Sequence, residues 1–505
     1  TMRNMINWLI KEFISKQMSS IEGFIKHPQR SQEQTLDTFI KKNKNTFWGK
    51  KYQYNQLKDY EHYKNNVPIS TYEEIFPYIE RMMKGEKNVL WYDEINCFAK
   101  SSGTTNAKSK FIPVSQESFE NTHYRGGKDL VAMYYHNYPD AKMFTGKGLS
   151  IGGSYENNPL NPKTYYGDVS ALIMKNLPLW AQLKRSPKLS TALMSDWNTK
   201  LDRIAKEAIK ENITSIQGVP TWTIFVIRRV LELTGKNNIL EVWGNLEAFF
   251  HGAVAFTPYQ NLFKDMIPSS EMRYVEIYNA SEGFFAFQDQ KDSKDMLLLL
   301  NHGIFYEFMP LTELDKPNPK TVSIAEVKIN TPYAMIISTN GGLWRYNIGD
   351  TIKFTSLSPH RIRITGRTKH FINAFGEEVV IENAELAITK ACEQTQAIIN
   401  NFTAAPIYIE EGKRGGHQWA IEFENQPSDF DTFVKILDQS LRDINSDYNA
   451  KRHNDIALQA PKVEVLKKGT FYRWMENQNK LGGQNKVPRL SNDRKYLESI
   501  LEMID

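Results

Sequence analysis

The chain has 505 residues, more than one hydrophobic core organises, so two or three domains are expected. Its composition, 41% hydrophobic and 24% charged, is that of an ordinary folded protein, and a net charge of +5 over so large a surface is too weak to imply a nucleic-acid footprint while leaving room for anionic small molecules. Two distant cysteines, Cys97 and Cys392, exclude a disulfide framework and a CxxC metal site, and the ten histidines contain no zinc spacing.

At the N-terminus Thr1 ahead of Met2 reads as a cloning remnant. Arg3, Lys11, Glu12 and Lys16 interrupt any signal-peptide core, while Ile6, Leu9, Ile10 and Phe13 fall on one helical face. No uncharged apolar run approaches the roughly 18 residues that cross a bilayer, so a cytoplasmic protein with no membrane partner is expected. The first hundred residues read mostly as helix, punctuated by Pro68 and Pro77. A loop of Ser, Thr and Gly follows at 101–105. Short apolar runs then alternate with helical stretches, the α/β pattern: a strand at 148–151, a helix over 193–210. Further on lie strands at 296–300, 304–308, 334–338, 351–354 and 361–365. We divide the chain there into residues 1–365, binding ATP and acid, and residues 366–505, a small α+β domain. No internal repeat or low-complexity tract is present.

The stretch Ser101-Ser102-Gly103-Thr104-Thr105, continuing through Lys108 to Lys110, has what a polyphosphate needs: convergent backbone N–H groups, hydroxyls and nearby cations. By composition alone a solvated turn is equally served. A Walker A loop is excluded, because it would require glycine at Ser102 and at Ala107, and no G-x-G-x-x-G fingerprint surrounds the segment. The loop resembles instead the phosphate loop of the acyl-adenylate-forming superfamily, which includes luciferase, acyl-CoA synthetases and adenylation domains.

Four further segments follow in that superfamily's order. Tyr278-Asn279-Ala280-Ser281-Glu282 looks like its aromatic-x-x-Ser/Thr-Glu motif: the aromatic face can stack adenine, with Ser281 beside it, and Glu282 can hold magnesium. The same residues are a near miss for a nucleophile elbow, with Asn279 in place of the first glycine, which would make Ser281 a hydrolase nucleophile. Asp350, after the Gly349 turn, matches the ribose-binding aspartate, since a carboxylate accepts two hydroxyls. Gly366-Arg367 puts a cation within reach of the same ribose, and the resemblance makes Lys369 the interdomain hinge. Near the end, Gly482-Gly483-Gln484-Asn485-Lys486-Val487-Pro488-Arg489 carries a lysine able to meet charge developing on the α-phosphate.

Trp344-Arg345-Tyr346-x-x-Gly-Asp350 and Gln484-x-Lys486-x-Pro488-Arg489, with Lys110 ahead of Phe-Ile-Pro, are similar to the Gretchen Hagen family of acyl acid–amido synthetases. The likeness spans most of the chain and suggests a bacterial member. It departs at Asn106, where the wider superfamily has glycine, and at Trp344, where the plant enzymes usually have tyrosine. The resemblance implies an acyl-adenylate-forming fold: a large N-terminal domain with a β-barrel subregion and α/β sheets, and a mobile C-terminal lid. It implies ATP and Mg2+ as cofactors, Lys486 and Glu282 as catalytic groups, and ATP held by residues 101–105, Tyr278, Ser281, Asp350 and Arg367. Val219, Trp222, Phe249, His251 and Gly252 are candidate acyl-pocket residues that core packing would explain equally.

The implied reaction activates a carboxylic acid as its adenylate, then passes the acyl group to an amine, an amino acid, by a monomer or weak homodimer without nucleic acid. A thiol acceptor is the alternative, and a non-catalytic nucleotide binder a second one. Retention of Glu282, Asp350 and Lys486 together argues against the binder.

Overall fold

Capping and periodicity set the helical N-terminal region. Met2–Lys26 is one helix, Pro28 opens Pro28–Asn43, and Tyr72–Met83 starts on a reciprocal capping box between Thr71 and Glu74. Of the apolar face expected at the N-terminus, Ile6 and Leu9 are 48% and 51% exposed; burial begins further along, at Ile21 and Phe24. The structure is a computed structural model that describes residues 2–101, 110–253, 256–368, 371–372, 377, 379–408, 415–452, 458–478, 481 and 487–504.

Strands β1 (Cys97–Ser101), β2 (Lys110–Val114), β4 (Tyr155–Asn157) and β5 (Tyr165–Gly167) form a small sheet in the order β2-β1-β5-β4. The main sheet has eleven strands. Its parallel part comprises β3 (Lys147–Ser150), β6 (Arg185–Ser186), β7 (Ile213–Gly218), β8 (Ala248–Gly252) and β9 (Arg273–Ala280), in the order β6-β3-β7-β8-β9. Helix Pro220–Thr234 crosses from β7 to β8 and Gln260–Met266 from β8 to β9, as parallel pairing demands. The expected helix at 193–210 begins at Trp197, because Asp196 caps it by accepting the Thr199 N–H at 3.0 Å.

The antiparallel part adds β10 (Gly283–Gln288), β11 (Met296–Leu298), β12 (Ile304–Pro310), β13 (Pro332–Thr339), β14 (Tyr346–Leu357) and β15 (His360–Arg367), in the order β9-β10-β11-β15-β14-β13-β12. Each run expected from the sequence falls within or across one of these strands. In a flat sheet β10 and β12 would stand about 24 Å apart, at ~4.8 Å per strand. Yet the Phe285 and Tyr306 rings lie 6.3 Å apart, so this half curls into the expected barrel-like form.

Beyond the short pair β16 (Phe371–Ile372) and β17 (Val379–Val380), the C-terminal part holds β18 (Ile398–Ile407), β19 (Gly416–Asn425) and β20 (Lys462–Leu466). Trp419 and Ile421 face helices Ile381–Thr395 and Phe430–Ile444, whereas Ala405, Ala420 and Leu466 join the core of the parallel strands. The alternation of one strand thus serves two layers. Arg228 of the N-terminal part donates to Asn400 at 3.0 Å and pairs with Glu424 across this contact.

Candidate active site

Ligands of open α/β sheets sit beyond the carboxyl ends of the parallel strands. Here those ends are Gly152-Gly153 after β3, Gly218-Val219 after β7, Gly252-Ala253 after β8 and Ala280-Ser281-Glu282 after β9. A side chain on Gly252 would press within 2.6 Å of the Ile277 carbonyl, and one on Gly153 would overlap the Asp168 carboxylate at 1.4 Å. Lys200, 2% exposed, donates to the carbonyls of Gly152 (2.6 Å) and Gly153 (3.0 Å), and burial lowers its pKa to about 8.

The β9–β10 hairpin places Tyr278 inside the barrel mouth, 5% exposed, where its hydroxyl donates to Asp350 Oδ2 at 2.5 Å. The bond joins strands four places apart in the sheet, which only the curl allows. Asp350 stands directly opposite Arg367 across the β14–β15 ladder, and Arg367 Nη1 donates to Asp350 Oδ1 at 2.8 Å. Gly349, at φ +90°, leaves room for that guanidinium; a Cβ there would sit 2.8 Å from Arg367 Nη2. Two of the roughly four acceptor positions of the carboxylate are therefore used and two remain, the number a ribose diol requires.

Burial of the Glu282 carboxyl raises its pKa, against the opposing pull of Lys110 on β2; the charges of Asp350 and Arg367 also reach it. Lys110 pairs in register with Ser101, and its ammonium lies 5.6 Å from the Tyr72 ring centroid. Both ends of the serine/threonine loop are thus brought beside the hairpin that carries Glu282. Ser102, Gly103, Thr104, Thr105 and Lys108 lie outside the described residues, as do Lys369 and Lys486. Val487, next to Lys486, is buried, and Arg489 lies 5.4 Å over both the Tyr259 and Phe402 rings, donating to the Tyr259 hydroxyl.

No described residue makes an ion pair with Glu282, and the buried Tyr346 hydroxyl, whose charge interactions reach Glu282 and Arg367, has no hydrogen-bond partner. A hard cation sharing phosphate oxygens with one carboxylate fits there. Among the described residues no group of three His, Cys, Asp or Glu side chains forms a metal cage. Ser281, 7% exposed, has no histidine or carboxylate hydrogen-bonded to its hydroxyl among the described residues, the partner a nucleophilic serine requires.

Val219, Trp222 and His251 come together in the core beside the strand ends, at 6%, 2% and 3% exposure. His251 stacks on Phe256 at 4.5 Å, its Nδ1 has no partner, and burial lowers its pKa to about 3. Two motif residues serve the scaffold: Trp344 Nε1 donates to the Leu90 carbonyl at 3.0 Å, and Arg345 is held by the Glu307 carboxylate at 2.8 Å. Sequence reasoning overlooked Tyr72, whose hydroxyl accepts the Phe111 N–H at 2.7 Å next to Lys110. Nothing in its own segment marks it.

Family models match three consecutive stretches: the GH3 family N-terminal domain over 17–272, the central domain over 297–367 and the C-terminal domain over 382–495. The chain belongs to the GH3 family. The indole-3-acetic acid-amido synthetase GH3.3 of Arabidopsis thaliana is 22% identical to this member, the match covering 97% of this chain and 93% of the relative. Among solved structures, the acyl acid amido synthetase AtGH3.15 in complex with 2,4-DB superposes with a TM-score of 0.81 at 17% identity, covering 97% of this chain and 96% of the other. A 2-hydroxyisobutyryl-CoA ligase in its postadenylation state follows at a TM-score of 0.61 and 11% identity, covering 93% and 90%. This GH3 member therefore has the acyl-adenylate-forming fold.

Proposed function

We propose that this GH3 protein activates a carboxylic acid with ATP as an acyl-adenylate and transfers the acyl group to the amine of an amino acid, releasing AMP. One observation supports this above all: Tyr278, Asp350, Arg367 and Glu282 converge beside Lys110 and Ser101, at the two ends of the serine/threonine loop.

In the first step a carboxylate oxygen attacks the α-phosphorus of ATP, and the bond to pyrophosphate breaks. Asp350 holds the ribose hydroxyls with its two remaining acceptor positions, while Tyr278 and Arg367 fix the carboxylate that does so. The 102–105 backbone and hydroxyls, with Lys110, carry the β- and γ-phosphates. Glu282 is the residue that would hold a magnesium ion, which when bound would supply charge compensation for the pyrophosphate leaving group. Lys486 donates to the α-phosphate and acyl oxygens as charge builds there. In the second step the amine nitrogen attacks the acyl carbon, AMP leaves with the bonding electrons, and the ammonium proton goes to solvent.

The acid lies toward Val219, Trp222 and His251. A neutral imidazole with a free Nδ1 among aromatic rings suits an apolar acid that carries one hydrogen-bonding group. Residues 366–505 act as the lid, with Lys369 as its hinge, excluding water from the anhydride.

Acid-dependent exchange of labelled pyrophosphate into ATP, across aryl, indole and fatty acids, tests the first half. Release of AMP with added amino acids, against coenzyme A, tests the second. A panel in which no acid supports exchange sinks the adenylation reading, and AMP release with coenzyme A alone replaces the amine by a thiol.

A further inference from the structure

Residues 169–195 contain Lys175, Lys184, Arg185 and Lys188 and no aspartate or glutamate, which is four positive charges in a chain whose net charge is +5. Helix Leu179–Leu183 lies in this stretch and buries none of its residues. Leu179, Trp180 and Leu183 are 76%, 65% and 67% exposed, and at about 100° per residue they share one face. Lys184, which follows this helix, donates its Nζ to the carbonyl of Phe144 at 2.9 Å; the Phe144 ring, 37% exposed, stacks on Tyr135. Single exposed apolar residues are ordinary, but a contiguous cluster rimmed by charge marks an interaction surface.

The rim is cationic and unneutralised. Lys184 and Lys188 are exposed and make no ion pair among the described residues, whereas the Lys175 ammonium lies over the Tyr165 and Tyr155 rings, 3.7 and 4.4 Å from their centroids. The nearby Glu207 carboxylate is taken up by the Thr191 hydroxyl at 2.5 Å and the Lys188 backbone N–H at 2.9 Å. Arg185 is buried against Gln182 at 3.1 Å and anchors the segment from below.

We propose that this face docks the protein on an anionic lipid bilayer surface. Trp180 would sit at the headgroup level, Leu179 and Leu183 would enter the acyl boundary, and Lys184 and Lys188 would meet lipid phosphates. No helix of the described residues is long and apolar enough to cross a membrane, so the association is peripheral. A second copy of the chain suits the face less, because a two-fold contact would set its uncompensated cations against themselves. The inference stands apart from the ligase reading and runs against the expectation of no membrane partner.

The test is co-sedimentation of the full chain with vesicles of phosphatidylcholine alone, or with about one third phosphatidylglycerol. The expected result is partitioning at least about tenfold stronger onto the anionic vesicles, weakened by high salt. Leu179→Ser/Trp180→Ser/Leu183→Ser and, separately, Lys184→Glu/Lys188→Glu should each lower it about tenfold, with thermal unfolding and pyrophosphate exchange unchanged. Failure to sediment with anionic vesicles overturns the proposal, as does sedimentation that neither variant reduces. A parent that is dimeric by light scattering, with serine variants that are monomeric and no vesicle binding, assigns the face to a second copy instead.

Discussion

Asp350 gives the sharpest test of the site. Its Oδ2 is bonded to the Tyr278 hydroxyl at 2.5 Å and its Oδ1 to Arg367 at 2.8 Å, which leaves two acceptor positions. In Asp350→Asn the carbonyl oxygen stays toward Arg367 and the amide turns toward Tyr278, whose hydroxyl can accept as well as donate. The fold is kept, while one acceptor and the charge facing the ribose are lost. A hydrogen bond to a charged group is worth about 1.5–3 kcal/mol, so kcat/KM for ATP in pyrophosphate exchange should fall about 10- to 150-fold. The comparison that isolates the cause uses ATP lacking both ribose hydroxyls. The parent should lose a similar factor on that analogue, whereas the variant, already deprived, should lose much less. If the variant discriminates between the two nucleotides as strongly as the parent, Asp350 does not hold the ribose.

Lys486→Ala should reduce the exchange rate by ~10²-fold while ATP still binds, about 3 kcal/mol at the transition state; exchange at the parent rate removes that lysine from the reaction. Glu282→Gln keeps the shape but not the charge, so the magnesium concentration giving half-maximal exchange should rise about tenfold or more, and an unchanged magnesium titration would count against metal binding there. His251 has a folded pKa of about 3, below its ordinary 6.5, so the unfolded chain takes up the extra proton between those values. Its stabilising effect is complete above about pH 6.5 and is lost as the pH falls toward 3. Between about pH 7 and pH 5 it should cost about 2 kcal/mol in urea unfolding, a slope that His251→Phe should flatten. Lys200→Met leaves the Gly152 and Gly153 carbonyls without their buried donor and should destabilise the chain by about 3 kcal/mol in the same assay; a midpoint unmoved from the parent's would show the turn holds itself.

Strand-forming runs between 296 and 365 were legible because β-branched and aromatic residues alternate there between turns, a signal that needs no long-range information. Helix starts were less so. The register of the helix at Trp197 depends on Asp196 closing a local hydrogen bond, which periodicity alone does not reveal. The first two turns of Met2–Lys26 leave Ile6 and Leu9 about half exposed, 48% and 51%, so the amphipathic pattern predicts the helix but not its partner.

For the site, sequence supplied the chemistry. Hydroxyls with a permissive glycine, an aromatic before a carboxylate and an aspartate after a tight turn are each local arrangements, and their order along the chain carried the resemblance. It could not supply the meeting of Tyr278 with Asp350, 72 residues apart, because that depends on how far seven strands curl. Nor could it separate Trp344 and Arg345, which brace the scaffold, from their neighbour Asp350, which faces the site; all are polar or aromatic in one short motif. Lys110 became part of the electrostatic surroundings of Glu282 through the β1–β2 ladder, and Tyr72 through its hydrogen bond from Phe111 of β2. Local sequence determines which groups a chain can offer and which strands and helices it forms. Which of those groups share one low-dielectric volume, and so shift one another's charge, is decided by the non-local packing of the sheet.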